Sequence, residues 1–346
     1  MNLNERLAAF INLGHVLKQY VNGQLSEDSL FKRVLDHATE QAQIHNAWFS
    51  GENIRFAIKA WANLLTEENL NRWLEPYGLK DITPKTVGIV TAGNIPMVGM
   101  HDFVSVLISG HKILVKQSSN DRLLLPEIAK LLIQYEPKFR DNIIFTEGKL
   151  TEFDAVIATG SNNTARYFES YFGQYPHIIR KNRNAVAVLT GDETEKELER
   201  LGEDIFRYYG LGCRSVSKVF VPEGYDINRI FKAIFSQQDI INHHKYKNNY
   251  DYNRAVYLMG GISILENGFI LFKEDNGYAS PIAVLYYEYY KSLPLLKTRL
   301  IADSEQIQCV VSQATIENAI PLGQSQQPEL WDYADGVDTI EFLKDL

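Results

Sequence analysis

Thr86-Val-Gly-Ile-Val-Thr91, Gly93-Asn-Ile-Pro-Met97, Val98 to Ile108 and His111-Lys-Ile-Leu-Val-Lys116 follow one another almost without interruption, and their textures alternate. The first block is apolar and β-rich, the second is a turn, the third is a mostly apolar helical segment that stops near Gly110, and the fourth is β-rich again. Leu123 to Tyr135 continues as a second helix and Asn142 to Thr146 as a third strand. Strands that alternate with helices pair in parallel, because each crossover returns the chain to the same edge of the sheet. The stretch predicts a nucleotide-binding α/β domain built on a parallel sheet.

Asp154-Ala-Val-Ile-Ala-Thr-Gly-Ser-Asn-Asn163 sharpens that reading. An apolar strand ends at Gly160-Ser161, and a helix carrying Arg166, Phe168 and Tyr171 follows, so backbone N–H groups and the positive end of a helix dipole point out of the sheet edge. Such an edge accepts a phosphate, although many Gly-Ser turns bind nothing. The Gly-x-Gly-x-x-Gly fingerprint is absent from the chain, so a standard dinucleotide fold is not supported. On the N-terminal side, residues 4 to about 75 read as helical: Leu7, Phe10, Ile11, Leu13, Leu17 and Tyr20 form one stripe. Phe56, Ala60, Leu64 and Leu65 form another, and these stripes, with His45 and Trp48, read as structural.

Toward the C-terminus the reading centres on Phe206-Arg-Tyr-Tyr-Gly-Leu-Gly-Cys213. Thr194 with Glu197 forms a capping box, and Leu198, Leu201, Ile205, Phe206 and Tyr209 continue a helix that Gly210 closes. Ser217 to Val221 reads as a strand, which places Cys213 in a short helix-to-strand loop. A thiol there is a nucleophile candidate, and the alternative is an inert small hydrophobe.

Composition sets the context. The 346 residues, 45% of them hydrophobic, suffice for two linked cores. Two distant cysteines suit a reducing cytoplasm rather than a disulfide framework. The formal net charge of -8 gives no basic footprint for nucleic acid, and no apolar run approaches the length of a membrane span.

Four pieces in order, Thr91-Ala-Gly-Asn-Ile-Pro96, Ile113-Leu-Val-Lys116, Ala158-Thr-Gly-Ser161 and Gly210-Leu-Gly-Cys213, resemble the aldehyde dehydrogenase superfamily. Lys116-Gln-Ser-Ser-Asn-Asp121 and Tyr246-Lys-Asn-Asn-Tyr-Asp-Tyr-Asn-Arg254 make the chain most similar to its acyl-CoA reductases of the LuxC type, over roughly residues 84 to 346. The resemblance implies an aldehyde dehydrogenase-like α/β fold: a helical N-terminal region (1–80), a Rossmann-type parallel-sheet cofactor domain (81–206), a second α/β catalytic domain carrying the cysteine (207–315) and a returning tail (316–346). It implies Cys213 as nucleophile, and Asn94 as the donor that joins the backbone N–H at Cys213 in stabilising an oxyanion, such donors being worth about 3 kcal/mol each. Lys116 matches the lysine that contacts the adenosine ribose, and Gly160 with Ser161 the pyrophosphate turn.

Two departures bear on the reaction. Aldehyde-oxidising members carry a glutamate that activates water, but the matching region, Ile178-Ile-Arg-Lys-Asn-Arg-Asn-Ala185, has no carboxylate, which favours reduction of an acyl-CoA over hydrolysis. Three residues after Lys116, NAD-preferring relatives often place a glutamate and this chain has Ser119, which tolerates a 2′-phosphate; NADPH is the expected cofactor. The expected reaction runs through an acyl-thioester on Cys213 that hydride reduces to a thiohemiacetal, with collapse to the aldehyde. Arg214 is the adjacent positive charge that would favour the thiolate.

Asn242 to Arg254 is polar, aromatic and basic without clear periodicity; it offers His243 or His244 as a proton donor, or Lys245, Lys247 and Arg254 for coenzyme A phosphates, against the alternative of a solvated loop. Of the histidine pair, His244 is the residue assigned to catalysis, and two histidines with no third ligand do not make a metal site. Glu274 or Asp275 stands where relatives contact the nicotinamide ribose, and Cys309, alternating with apolar neighbours, reads as core. The expected partners are an acyl-CoA or acyl-carrier substrate, an acyl-transferring enzyme and, by analogy, further copies of the chain. The competing readings are an acyl-phosphate reductase of the same fold, a dehydrogenase that lacks its hydrolytic base, a cofactor-independent acyltransferase or thioesterase, and a non-catalytic scaffold.

Overall fold

The computed structural model describes residues 1–80 and 82–346. Two compact units make up the chain, one of residues 1–181 with 329–346, the other of residues 182–328.

The first unit begins with α1 (Leu3–Val21), α2 (Leu30–His45), α3 (Gly51–Leu64) and α4 (Glu67–Leu74). Their starts are written locally: Asn2 and Glu5 form a capping box, and Ser50 and Thr66 cap the N-termini of α3 and α4. The α/β part follows as β1 (Thr86–Val90), α5 (Met100–Ser109), β2 (Lys112–Lys116), α6 (Leu124–Tyr135), β3 (Ile143–Thr146), β4 (Ala155–Thr159), α7 (Asn162–Phe172) and β5 (His177–Arg180). All five strands are parallel, in the order β3-β2-β1-β4-β5. The strand order reverses between β1 and β4, so the carboxyl ends of β1, β2 and β4 border a topological switch point, the place where open α/β sheets bind ligands.

One core spans the helical region and this sheet, from Phe10, Leu13 and Trp73 to Phe103, Val115 and Leu132, and takes in Leu330, Ile340 and Leu343 from the returning tail. Polar anchors fix that tail. Arg180 is ion-paired with Asp102 at 2.6 Å and bonds Thr339 at 3.1 Å, both side chains of the pair being buried. His101 and His111 donate from Nε2 to the carbonyls of Leu330 and Leu343 at 2.9 and 2.8 Å.

The second unit comprises β6 (Asn184–Val188), α8 (Glu195–Phe206), β7 (Val216–Pro222), α9 (Asn228–Ala233), α10 (His244–Met259), β8 (Leu265–Glu266), β9 (Leu271–Glu274), β10 (Val284–Tyr290), α11 (Leu293–Ala302) and β11 (Ile307–Ser312). The strand order is β11-β6-β7-β10-β9-β8, parallel except for the short edge strand β8. Val186, Val188 and Phe220 pack with Leu296 and Leu300 of α11.

Three expectations change. The helix before Cys213 ends at Phe206, because Arg207 turns to extended backbone and Tyr208, Tyr209 and Gly210 all take left-handed conformations (φ 55°, 58° and 77°). Tyr209 is therefore not the last helical residue, and Gly210 closes a turn rather than the helix. Residues 244–259 form α10, with Tyr246, Tyr250, Asn253 and Tyr257 buried along one side, so the segment read as aperiodic is a helix. Cys309 is half-buried rather than fully in the core.

Candidate active site

Within the first unit, five of the residues singled out in the sequence gather at the carboxyl edge of the sheet. Asn94 lies exposed in the loop after β1, Lys116 half-buried at the end of β2, Ser119 exposed three residues on, and Gly160-Ser161 between β4 and α7. The loops after β1 and β2 are locked together. A Cβ on Gly93 would stand 2.5 Å from Ser118 Oγ and 2.6 Å from its Cβ, so only glycine lets the two backbones approach this closely. Thr91 N donates to Lys116 O at 3.1 Å, and Thr91 Oγ1 accepts from Ser118 N at 3.3 Å. From the helical region, His45 Nε2 meets Ser119 O at 3.1 Å and Asn46 Nδ2 donates to Asn120 O at 3.2 Å. His45, read from the sequence as structural, thus braces one of its loops.

At the third loop, Gly160 N donates to Arg180 O at 3.2 Å, and a Cβ on Gly160 would press on Thr164 and Phe168 at 3.0 Å. Ser161 is the N-cap of α7, its Oγ accepting from Thr164 N at 3.2 Å. The remaining N–H groups of the first turn, the helix dipole and the half-buried Lys116 form a donor set that suits the phosphates of a nucleotide.

Within the second unit, Cys213 is exposed at the head of β7, directly after the left-handed turn. The turn is tied down on both sides. Ser215 N donates to Gly212 O at 3.0 Å, Gln326 Nε2 to Ser215 Oγ at 3.3 Å, and Arg214 Nε to Ser325 O at 2.5 Å. The Ser325 segment is in turn fixed by Asp204 of α8, wholly buried, whose carboxylate accepts from Gly323 N at 2.6 Å and Ser325 N at 2.9 Å. Burial pushes the Asp204 carboxyl up to about 6, against the two backbone hydrogen bonds that favour its charge. The Arg214 guanidinium, expected from the sequence to favour the thiolate, is thus committed to the Ser325 carbonyl.

His244, the histidine assigned to catalysis from the sequence, is exposed as the first residue of α10. Its neighbour His243 is the one held against the cysteine turn: its ring stacks on Tyr209 with centroids 4.1 Å apart. His243 Nδ1 accepts from Tyr246 N at 3.3 Å as the N-cap of α10, which leaves the proton of the neutral ring on Nε2. In the sequence His243 stands three residues before Tyr246, the first of the buried positions Tyr246, Tyr250, Asn253 and Tyr257. Of the two acidic candidates further on, Glu274 is exposed at the end of β9, and Asp275 is paired with Lys273 at 2.5 Å and accepts from Gly277 N at 2.8 Å. Among the described residues no group of three or more His, Cys, Asp or Glu is placed to hold a metal, and no helix is long and apolar enough to cross a membrane.

Comparison with solved structures places this architecture. Aldehyde dehydrogenase 21 from Physcomitrella patens, in complex with succinate, superposes with a TM-score of 0.70 at 12% identity, covering 100% of this chain and 84% of that one. The indole-3-acetaldehyde dehydrogenase AldA of P. syringae, in complex with NAD+ and IAA, gives 0.67 at 14% identity over 92% of this chain and 74% of that one. An NADP-dependent enzyme of E. coli gives 0.63 at 13% identity over 92% and 84%. No protein with a curated description matches the sequence. The fold is that of the aldehyde dehydrogenases. The family profile described as acyl-CoA reductase (LuxC) matches residues 30–243, more than half of the chain, and the chain belongs to that family of oxidoreductases.

Proposed function

We propose that the protein reduces an acyl-CoA, of fatty acyl type, to the aldehyde through an acyl-thioester on Cys213, with NADPH as reductant. The observation that carries this reading is the exposed Cys213 thiol, presented on a turn braced through Arg214, Ser325 and Asp204 in a chain of the LuxC family. The Cys213 thiolate attacks the thioester carbonyl and coenzyme A leaves as its thiolate, so one thioester replaces another. The cofactor, when bound, supplies the hydride that reduces this acyl group. The resulting thiohemiacetal then expels the Cys213 thiolate and releases the aldehyde. Asn94 takes the role of oxyanion donor, and the histidine pair that of proton donor: His243, fixed by Tyr209 with its proton on Nε2, is the better placed of the two, and His244 is its exposed alternate.

Lys116, Ser119 and the N-terminus of α7 with Gly160 and Ser161 would hold the nucleotide. Ser119 is exposed and uncharged, so it leaves room for a 2′-phosphate near the Lys116 ammonium. The stretch from Ile178 to Ala185, matched to the segment that carries the water-activating glutamate of hydrolytic relatives, has no carboxylate, which leaves an acyl-cysteine without that base to hydrolyse it. The first unit thus takes the cofactor role and the second carries the acyl group. An acyl carrier or an acyl-transferring enzyme as donor, and a homo-oligomeric enzyme in the cytoplasm, complete the proposal.

Intact-protein mass spectrometry after mixing with a series of acyl-CoAs tests it. An acyl mass increment that maps to Cys213, disappears in Cys213→Ala and is discharged on adding NADPH is the expected result. An increment discharged by water alone would favour a thioesterase, and labelling by acyl phosphate but not acyl-CoA would favour the acyl-phosphate reductase.

A further inference from the structure

Asn94 sits in a loop whose two ends are fastened to the same neighbouring loop. Upstream, Thr91 and Gly93 are locked onto Lys116 and Ser118 as described above. Downstream, Met97 takes a left-handed conformation (φ 59°), which a residue with a side chain adopts only when its surroundings hold it there. The holder is Asp121. Its carboxylate, 8% exposed, accepts from Met97 N at 3.1 Å with one oxygen and from Leu124 N, at the start of α6, at 3.4 Å with the other. The backbone carbonyl of Asp121 also takes a hydrogen bond from Gln117 Nε2 at 3.2 Å, closing the loop on itself.

We propose that Asp121 is a positioning residue for Asn94, tying the Asn94 turn to the loop that carries Lys116 and Ser119 so that the two loops behave as one body. Its consequence is coupling: whatever orders the loop after β2 also orders Asn94. The inference rests on the proposed roles of Asn94 and Lys116, but its structural half stands apart from them. Burial raises the Asp121 carboxyl above its usual range, and the backbone donors at Met97 and Leu124 work against that.

The test combines amide hydrogen exchange of the 93–100 segment with the rate of Cys213 acylation by an acyl-CoA in the absence of cofactor, followed by mass. Asp121→Asn keeps one acceptor oxygen and loses the other, and should speed exchange at Met97 by about tenfold, the loss of local protection being on the order of one weak hydrogen bond. Adding NADPH should slow that exchange in the native protein and much less in Asp121→Asn. Asn94→Ala should slow acylation by about 100-fold. Asp121→Asn should slow it by about tenfold in the native background and less than about twofold when Asn94 is already Ala, because there is then no donor left to position. Unchanged exchange in Asp121→Asn, or an equal slowing in both backgrounds, overturns the inference. Normal acylation by Asn94→Ala together with fast exchange in Asp121→Asn refutes the role of Asn94 while leaving the loop coupling in place. Should Asp121→Asn fail to fold, Asp121→Ser, which keeps one shorter neutral acceptor at the same place, is read the same way.

Discussion

Lys218, wholly buried in the middle of β7, donates to Glu288 of β10 at 2.5 Å and to the backbone carbonyl of Asp275 at 3.0 Å. The neighbouring Ser217 hydroxyl donates to Tyr278 O at 2.6 Å, so β7 holds the crossover between β9 and β10 at two points. Burial depresses the Lys218 ammonium, while Glu288, which burial works to raise, is held below its usual range by the hydrogen bonds from Arg299 and Lys218. Lys218→Met removes one of the two cations on Glu288, Arg299 remaining, and leaves the Asp275 carbonyl without its buried donor; it should cost about 1–3 kcal/mol in urea unfolding. Lys218→Met with Glu288→Leu should recover at least half of that. A single substitution costing under about 1 kcal/mol would show the pair to be structurally idle.

The tail anchor at His111 should make the first unit sensitive to acid. His111 Nδ1 accepts from Lys85 N at 3.1 Å while Nε2 donates to Leu343 O, so the bound ring is neutral. Burial lowers its pKa below 6.5, the Leu343 bond works against this, Arg6 and Lys85 add to it, and Asp154 opposes it. The unfolded chain then binds the extra proton more readily than the native one, so stability is held above pH 6.5 and falls as the pH drops from there toward the folded-state value. His111→Leu should flatten that acid slope in melts taken between pH 5 and 7, while costing about 1–3 kcal/mol at pH 7.5 for two buried backbone groups left unpaired.

Asp204 carries the opposite sign. Its carboxyl titrates near 6 in the native state against 3.8 for the reference group, so the native state binds the proton more tightly. The stabilisation is present below pH 3.8 and is lost as the pH rises through 6. The stability difference between the native protein and Asp204→Asn should shrink with rising pH across that window, by at most about 1.4 kcal/mol per pH unit. A difference independent of pH would mean that Asp204 does not titrate there.

Cofactor preference should answer to one side chain. Ser119→Glu places a carboxylate where a 2′-phosphate would stand, and should weaken NADPH by about 10- to 100-fold in fluorescence titration while NADH changes less than about threefold. Equal weakening of both would place the adenosine ribose elsewhere.

The first sheet was legible because Thr86–Val90, Lys112–Lys116 and Ala155–Thr159 are short apolar runs between turn residues, and their order already implied parallel pairing. The capping box at Thr194 was equally local and is formed. Two features were not legible for physical reasons. Tyr208 and Tyr209 adopt backbone conformations that their own side chains disfavour, so only the packing around them selects the turn that presents Cys213. In α10 the buried stripe is made of tyrosine and asparagine diluted by Lys, Asn and Asp, which hides a helical period from any reading based on apolar residues. Within the candidate site, the positions of Asn94, Lys116 and Ser161 could be named from the chain, whereas Asp121, Asp204 and His45 act across sequence distances that no local pattern records.

The first unit is assembled from both ends of the chain: Leu330, Ile340 and Leu343 complete a core begun by Phe10 and Leu13. During synthesis the whole of residues 182–328 is made before the residues that close that core. The unit started first is therefore the last to be finished, and until then its apolar faces stand open. A chain truncated after residue 328 would display a protease-resistant second unit beside a protease-sensitive first one, and a chaperone would find its substrate in the half that was translated earliest.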